Sequence, residues 1–350
     1  KLHLAGVCGS DIHTFVGRAS YGVVIPGHEM VGEIVALGEG FTDAHRRPLQ
    51  VGDRVVPEST MPCMRCAFCR GFGSRLDKLI DYAMCEDYLL WGAIPMRDPV
   101  WMNGAYAGYL QVPANGLLHR IDADVSDEEA VLVEPLSVGV KAVQKCSVGP
   151  GDTVIVQGPG PIGITCALAA REAGAAHVIV TGTDCDADRL ELARELGATG
   201  TICITDGDPV AALLELTGRP KAERIIDTTG ALPAFDLGVR LIARGGVYTV
   251  VGGYPKGTKL AMLVLDSSHM YGDGGAIVPT FAWMAEQAGY AFDVYWAEFD
   301  DPRWNKWPYF GCRVLEQLLL VNSYFDVLWC TLGGHARAML EPITSLGESL

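Results

Sequence analysis

The chain is 350 residues long and carries 27 Lys and Arg against 42 Asp and Glu, a net charge of −15 at pH 7. A surface that acidic repels phosphate backbones and makes nucleic acid a poor partner. The 49% apolar and 20% charged residues exclude a disordered chain, and at roughly 150 residues per domain the length allows about two domains.

Lys1–Ala5 run straight into motif residues and leave no room for a signal peptide. The absence of an initiator Met fits a fragment or a processed form. No apolar run of about 18 residues is present, so no transmembrane helix is expected and a cytoplasmic protein is. Residues 1 to about 145 read as short strands and loops, with strands at Val31–Val35 and Asp53–Val56 set off by Gly and Pro. From Asp152 the texture changes. Asp152–Gln157 predicts a strand, Ile162–Ala173 a helix, His177–Thr181 a strand, Asp188–Leu196 a helix and Thr201–Ile204 a strand. A helix at Val210–Leu216, a strand at Arg224–Ile226, a helix at Ala234–Ala243 and a strand at Gly246–Val251 follow. Such alternation predicts βαβ units around a parallel sheet. Residues 256–350 hold five of the seven Trp: Trp283, Trp296, Trp304, Trp307 and Trp329. They predict helices near Thr280–Ala288 and Arg313–Leu320, and strands near Phe292–Trp296 and Phe325–Thr331.

Gly is 42 of 350 residues, well above the usual share of about 7%. Gly158-Pro159-Gly160-Pro161-Ile162-Gly163 fits G-x-G-x-x-G between an apolar β run and a helix, the context that gives the pattern meaning. In a dinucleotide site the first Gly permits the tight turn, the second lets backbone approach the pyrophosphate, and the third allows close helix–strand packing. The bland alternative is a Gly/Pro-rich turn. Asp184, at the end of the second predicted strand, is the candidate for the ribose 2′-hydroxyl. No Arg or Lys lies between Thr181 and Asp188 to receive a 2′-phosphate, which favours NAD over NADP. Asp227–Gly230 and Val250–Gly253 end later strands and are expected to border the cofactor.

Eleven Cys are present. A disulfide framework is one reading. In a long chain with no secretory signal, metal or catalytic use is the stronger one. Cys63, Cys66 and Cys69 at i, i+3 and i+6 let one loop wrap a tetrahedral ion. Cys85 closes a four-sulfur shell that suits a structural Zn²⁺. Buried thiols and an iron–sulfur cluster are the alternatives. A dispersed set adds Cys8, His28, Glu29 and Glu134, a mixed shell of the kind that leaves a position open at a catalytic zinc. Each is weak alone, since a lone Cys is more often core than ligand.

Together the stretches GVCGSDIH (6–13), PGHEMVGEIVALGEG (26–40), VGDRVVP (51–57), PCMRCAFC (62–69), VEPLSVGVKAV (133–143) and the glycine fingerprint resemble the zinc-dependent medium-chain dehydrogenase/reductase family, in its alcohol and polyol branch. The resemblance covers about residues 1–255. It implies an α/β protein: a GroES-like β-rich catalytic domain over 1–146, short of its usual N-terminal strands, and a doubly wound Rossmann sheet over 147–255. Residues 256–350 match no family pattern. It further implies Cys8, His28 and Glu29 as catalytic-zinc ligands. Glu134 would stand at the metal or its water, Ser10 on the substrate oxygen, His13 as proton relay, and Asp11 as the carboxylate orienting His28. Cys63, Cys66, Cys69 and Cys85 would form the structural-zinc lobe, with fifteen residues before the last Cys where most of the family has seven. Gly182 occupies the place where many NAD-using relatives carry the acid.

The expected activity is hydride transfer between a secondary alcohol or polyol and NAD(P), by a homodimer or homotetramer with one catalytic and one structural zinc. A non-catalytic zinc- and dinucleotide-binding protein is the alternative, because both ends depart from the family pattern. A zinc-free quinone-reductase relative is disfavoured by the intact ligand set. Cys146, Cys166, Cys185 and Cys203 read as apolar fillers, and His269, Cys312, Cys330 and His335 as core or surface residues.

Overall fold

The structure is a computed structural model. It describes residues 1–16, 23–66, 69–70, 85–96 and 101–253 (side chains at 244 and 245 excepted), and beyond them the backbone of three strands. The chain divides into two compact units, Lys1–Ser137 and Val138–Leu350.

The first unit is built on β1 (Leu2–Ala5), β2 (Met30–Glu33), β3 (Arg54–Pro57), the short ribbon β4 (Thr60–Met61) and β5 (Leu89–Leu90), and β6 (Leu118–Arg120). Strands β1-β2-β3-β6 form an antiparallel sheet in that order. Successive strand residues point to opposite faces. Met30 and Val31, neighbours on β2, enter different clusters: Met30 joins Met61, Trp91, Ile94 and Ala105, while Val31 joins Val56, Ala130 and Val131. Both faces of β2 are therefore covered.

Three helices interrupt the stretch expected to be strands and loops, a correction to that expectation. They are α1 (Gly9–Phe15), α2 (Asp127–Ala130) and α3 (Val133–Lys145). Helix α1 opens on Gly9-Ser10, poor helix formers, and is held by Asp11, whose Oδ2 accepts the Cys8 N–H at 3.0 Å. Helix α2 begins with a reciprocal box: the Ser126 hydroxyl accepts the Glu129 N–H, and Glu129 Oε2 accepts the Ser126 N–H at 2.8 Å.

The second unit alternates β7 (Thr153–Gln157), α4 (Pro161–Glu172), β8 (His177–Gly182), a 3₁₀ turn at Asp184–Asp186, α5 (Ala187–Glu195), β9 (Gly200–Cys203), α6 (Pro209–Thr217), β10 (Ala222–Asp227), α7 (Leu232–Leu241) and β11 (Ile242–Val250). The strands form one parallel sheet in the order β11-β10-β7-β8-β9. Every residue of β7 is buried. Val154 and Val156 pack with α3, α4 and α5 on one face, Ile155 with Leu213 of α6 and Leu237 and Leu241 of α7 on the other. The sheet is doubly wound, and its order reverses between β7 and β10. Ligands of such sheets bind outside the carboxyl ends of the strands at this reversal.

The predicted elements of this unit stand, with ends moved by a few residues; β11 starts at Ile242, ahead of the expected Gly246. Farther on, β12 (Lys259–Asp266), β13 (Ala291–Glu298) and β14 (Val327–Cys330) form a parallel sheet in the order β13-β12-β14. The expected strands near Phe292–Trp296 and Phe325–Thr331 coincide with β13 and β14, whereas β12 was not expected. The helices expected near Thr280–Ala288 and Arg313–Leu320 lie outside the described residues. So do Trp283, Trp304, Trp307, His269, Cys312 and His335.

Candidate metal centre and dinucleotide site

Cys8 precedes α1, and His28 and Glu29 lead into β2. One ligand atom from each lies within 4.8 Å of the other two. Backbone hydrogen bonds set this up. The Gly6 N–H donates to the Glu29 carbonyl at 3.0 Å, and Gly27 turns the chain with φ +94°. Asp11, 8% exposed, joins the two segments. Its Oδ2 accepts the Cys8 N–H, its Oδ1 accepts the Gly27 N–H at 3.1 Å, and Oδ1 stands 3.8 Å from His28 Nδ1. That last separation is ion-pair reach and too long for a hydrogen bond.

The cluster's electrostatics follow from its contacts. A hydrogen bond with Cys8 raises His28 to about 9, against the opposing effect of burial. The same bond lowers the Cys8 thiol. The shared bond thus favours negative charge on the Cys8 sulfur and positive charge on the His28 ring. Burial raises the Glu29 carboxyl. Soft sulfur, borderline imidazole and hard carboxylate together suit Zn²⁺. Glu134, in the first turn of α3, is half-buried. Burial pushes it up to about 7, against the pull of the His28 charge. It feels His28 and Glu29 without joining the close three-atom cluster. The Ser10 hydroxyl and backbone N–H both bond the Cys8 sulfur. His13 lies one turn farther along α1 and is exposed.

Cys63, Cys66, Cys69 and Cys85 also bring their sulfurs within 4.8 Å of one another. Cys63 and Cys69 sulfurs are 4.0 Å apart, and Cys66 and Cys85 sulfurs 3.9 Å. A disulfide needs about 2.05 Å, and all nine described cysteines are free, so the disulfide alternative fails for them. A tetrahedron with bonds of about 2.3 Å has edges of about 3.8 Å, so the spacing fits one Zn²⁺. Backbone N–H groups of Cys63, Cys66, Cys69 and Asp87 point at these sulfurs at 3.2–3.5 Å. Those of Cys69 and Glu86 lower Cys66 to about 6, while burial pushes Cys69 up to about 12.

In the second unit Gly158 follows β7 with φ +94°, and Gly160 precedes α4 with Pro161 at its first position. Ile162 continues this first turn. A Cβ on Gly163 would run into the Gly158 carbonyl, so the glycine sets how closely helix meets strand. The first turn of α4 holds no acidic residue, leaving its free N–H groups and dipole open to an anion. Across the sheet reversal, the Thr228 hydroxyl donates to the Gln157 carbonyl at 2.8 Å. Asp227 Oδ1 accepts from the Thr229 N–H and hydroxyl. Asp184 is exposed after β8. The Asp186 carboxylate is taken by Thr183 and Arg189.

Sequence reasoning missed Tyr106, whose hydroxyl lies 2.9 Å from Asp11 Oδ2, and Ser59, which hydrogen-bonds Glu134. No motif spacing announces either.

Comparison with known proteins decides the family. Residues 1–123 match the alcohol dehydrogenase GroES-like domain, and residues 161–285 the zinc-binding dehydrogenase family. An erythritol/L-threitol dehydrogenase of Mycolicibacterium smegmatis is 32% identical over 296 residues, 81% of this chain and 77% of that protein. The chain belongs to the zinc-dependent medium-chain dehydrogenase/reductase family. A sorbitol dehydrogenase of Halalkalibacterium halodurans is 37% identical over 256 residues, covering 72% of the chain and 68% of that dehydrogenase. Among solved structures, an alcohol dehydrogenase from Thermus sp. ATN1 is 26% identical with a TM-score of 0.57, covering 85% of this chain and 76% of its own. An alcohol dehydrogenase from Thermotoga maritima shares the fold at a TM-score of 0.66 and 22% identity, over 94% and 91% of the two chains.

The fold is therefore a GroES-like domain joined to a Rossmann sheet, and the protein is an oxidoreductase of the zinc-dependent alcohol dehydrogenase type. Such a dehydrogenase uses zinc, a nicotinamide cofactor and a small-molecule substrate. The non-catalytic alternative finds no support. Among the described residues no helix is long and apolar enough to cross a membrane.

Proposed function

We propose that this dehydrogenase oxidises a secondary hydroxyl of a polyol, with NAD as the hydride acceptor and two zinc ions per chain. The observation that carries the reading is the convergence of Cys8, His28 and Glu29 within 4.8 Å, with the Ser10 hydroxyl on the Cys8 sulfur. The polyol assignment draws on relatives named for erythritol, L-threitol and sorbitol. In this reading residues 1–146 form the zinc-binding part, 147–255 the dinucleotide-binding part and 256–350 a separate C-terminal segment.

Cys8, His28 and Glu29 would hold the catalytic zinc, with Glu134 beside it, and the four thiols of Cys63, Cys66, Cys69 and Cys85 the structural one. Zinc supplies Lewis acidity toward the substrate oxygen, and NAD supplies the acceptor for hydride. The chain's own residues supply the rest. Ser10 would act as a relay, accepting the hydroxyl proton as it gives up its own, and exposed His13 on the same helix would pass a proton on to water. Gly158, Gly160 and Gly163 admit the pyrophosphate to the N-terminus of α4. Asp184 offers its exposed carboxylate to the ribose 2′-hydroxyl, and the absence of Lys and Arg between Thr181 and Asp188 disfavours a 2′-phosphate. A cytoplasmic location and a homodimer or homotetramer are expected.

Absorbance of NADH, followed with a panel of polyols and secondary alcohols before and after chelation, tests the reading. Turnover with NAD and a vicinal polyol, abolished by chelation and restored by zinc, is expected. A zinc-loaded, folded chain that binds no dinucleotide would overturn it.

A further inference from the structure

We propose that Tyr106 is a positioning residue for the metal centre, its hydroxyl holding the Asp11 carboxylate that ties the Cys8 and His28 segments together. This rests on the reading that Cys8, His28 and Glu29 bind zinc.

The Asp11 carboxylate is almost buried, and its two oxygens are divided between neighbours. Oδ1 accepts the Gly27 N–H and faces His28 Nδ1. Oδ2 accepts the Cys8 N–H at 3.0 Å and the Tyr106 hydroxyl at 2.9 Å. The phenol has one proton. It also lies 3.1 Å from the Gly6 carbonyl, but a hydrogen bond to a carboxylate is about twice as strong as one to a neutral acceptor, so Asp11 is the acceptor. The Tyr106 bond therefore fixes which way the carboxylate turns, and with it the spacing of Cys8 from His28.

The ring is placed for this by backbone. Tyr106 N–H donates to the Pro26 carbonyl and Ala105 N–H to the Gly27 carbonyl, both at 3.0 Å. The ring then lies against Gly27. A Cβ there would sit 2.9 Å from ring Cδ1 and Cε1. Tyr106 remains 41% exposed, so its hydroxyl can be removed without opening a core cavity. Phe keeps the ring contact and leaves Oδ2 one donor short, which separates the hydroxyl's role from the ring's.

Partners in the outer shell of a metal ligand typically cost 10–100-fold in affinity when removed. The test is zinc competition against a chelator on the full chain, wild type and Tyr106→Phe, with the four-thiol site as internal control. The variant is expected to bind zinc at the Cys8–His28–Glu29 site about tenfold more weakly, with the four-thiol affinity and the thermal midpoint unchanged. Cobalt substituted at the first site is expected to show shifted visible bands. In an Asp11→Asn background the same Tyr106→Phe change is expected to cost nothing more, because its effect passes through Asp11. Unchanged affinity and cobalt spectrum in the single variant, or the full tenfold loss repeated in the Asp11→Asn background, would overturn the role of Tyr106. A wild-type chain that binds zinc at the four thiols alone overturns the metal-centre reading itself, and this inference with it.

Discussion

A methyl group on Gly6 would clash with Glu29 Oε2. The carboxylate reaches Cys8 and His28 by occupying the space that any other residue at position 6 would fill, and the Gly6 N–H holds the Glu29 backbone in line. Gly6→Ala is expected to push Glu29 aside and weaken zinc at this site by about 10–100-fold, the range seen when support of a metal ligand is lost. Chelator competition reads this, and an unchanged affinity would show that Glu29 is not needed as a ligand.

Zinc uptake at the same site is expected to depend on pH in a defined window. The hydrogen bond to Cys8 holds His28 protonated up to about 9, and the same bond favours the Cys8 thiolate. A ligating imidazole must be neutral, so binding at neutral pH releases the His28 proton. Apparent affinity should rise up to about tenfold per pH unit from pH ~7 and level off above pH ~9. A flat profile across that window would contradict a protonated His28.

Gly163→Ala drives a Cβ into the Gly158 carbonyl, so the fingerprint loop must move away from α4. NADH binding, followed by fluorescence, is expected to weaken at least about tenfold, and the thermal midpoint to fall by a few degrees. Gly149→Ala is the control: a Cβ there meets nothing within 4 Å, and stability should stay within about 0.5 kcal/mol.

Asn103 is fully buried, and among the described residues neither Oδ1 nor Nδ2 finds a hydrogen-bond partner. An unpaired buried amide costs about 1–3 kcal/mol. Asn103→Leu, which keeps the branching at Cγ, is expected to raise unfolding stability by about 1 kcal/mol. Urea denaturation measures this, and a loss of stability would show that the amide is satisfied in solution.

The parallel sheet was legible because its strands are apolar on both faces. Thr153–Gln157 and His177–Gly182 read as unbroken runs, and the intervening helices end at Gly174 and Gly197, both with positive φ. The helices of the first unit were less so. Helix α1 hides behind Gly9-Ser10 and a capping bond made by Asp11. Helix α2 does carry a readable signal in Ser126 and Glu129, the two ends of its capping box. The four-thiol set is announced by its spacing, whereas Cys8, His28, Glu29 and Glu134 form a dispersed set whose members are weak singly, and the resemblance to the family is what gives each of them a role. Tyr106 could not be found that way. It lies 95 positions from Asp11, and only the pairing of residues 105–106 with 26–27 brings the two together.

Fifteen residues separate Cys69 from Cys85, yet all four sulfurs meet. Doubling the length of a closed loop costs only about 0.6 kcal/mol in chain entropy, far less than a zinc ion held by the four thiols would return in binding. Loop length at this point is therefore almost free to vary, and an inserted peptide there can drift in sequence, or be grafted at the bench, while the clasp stays shut.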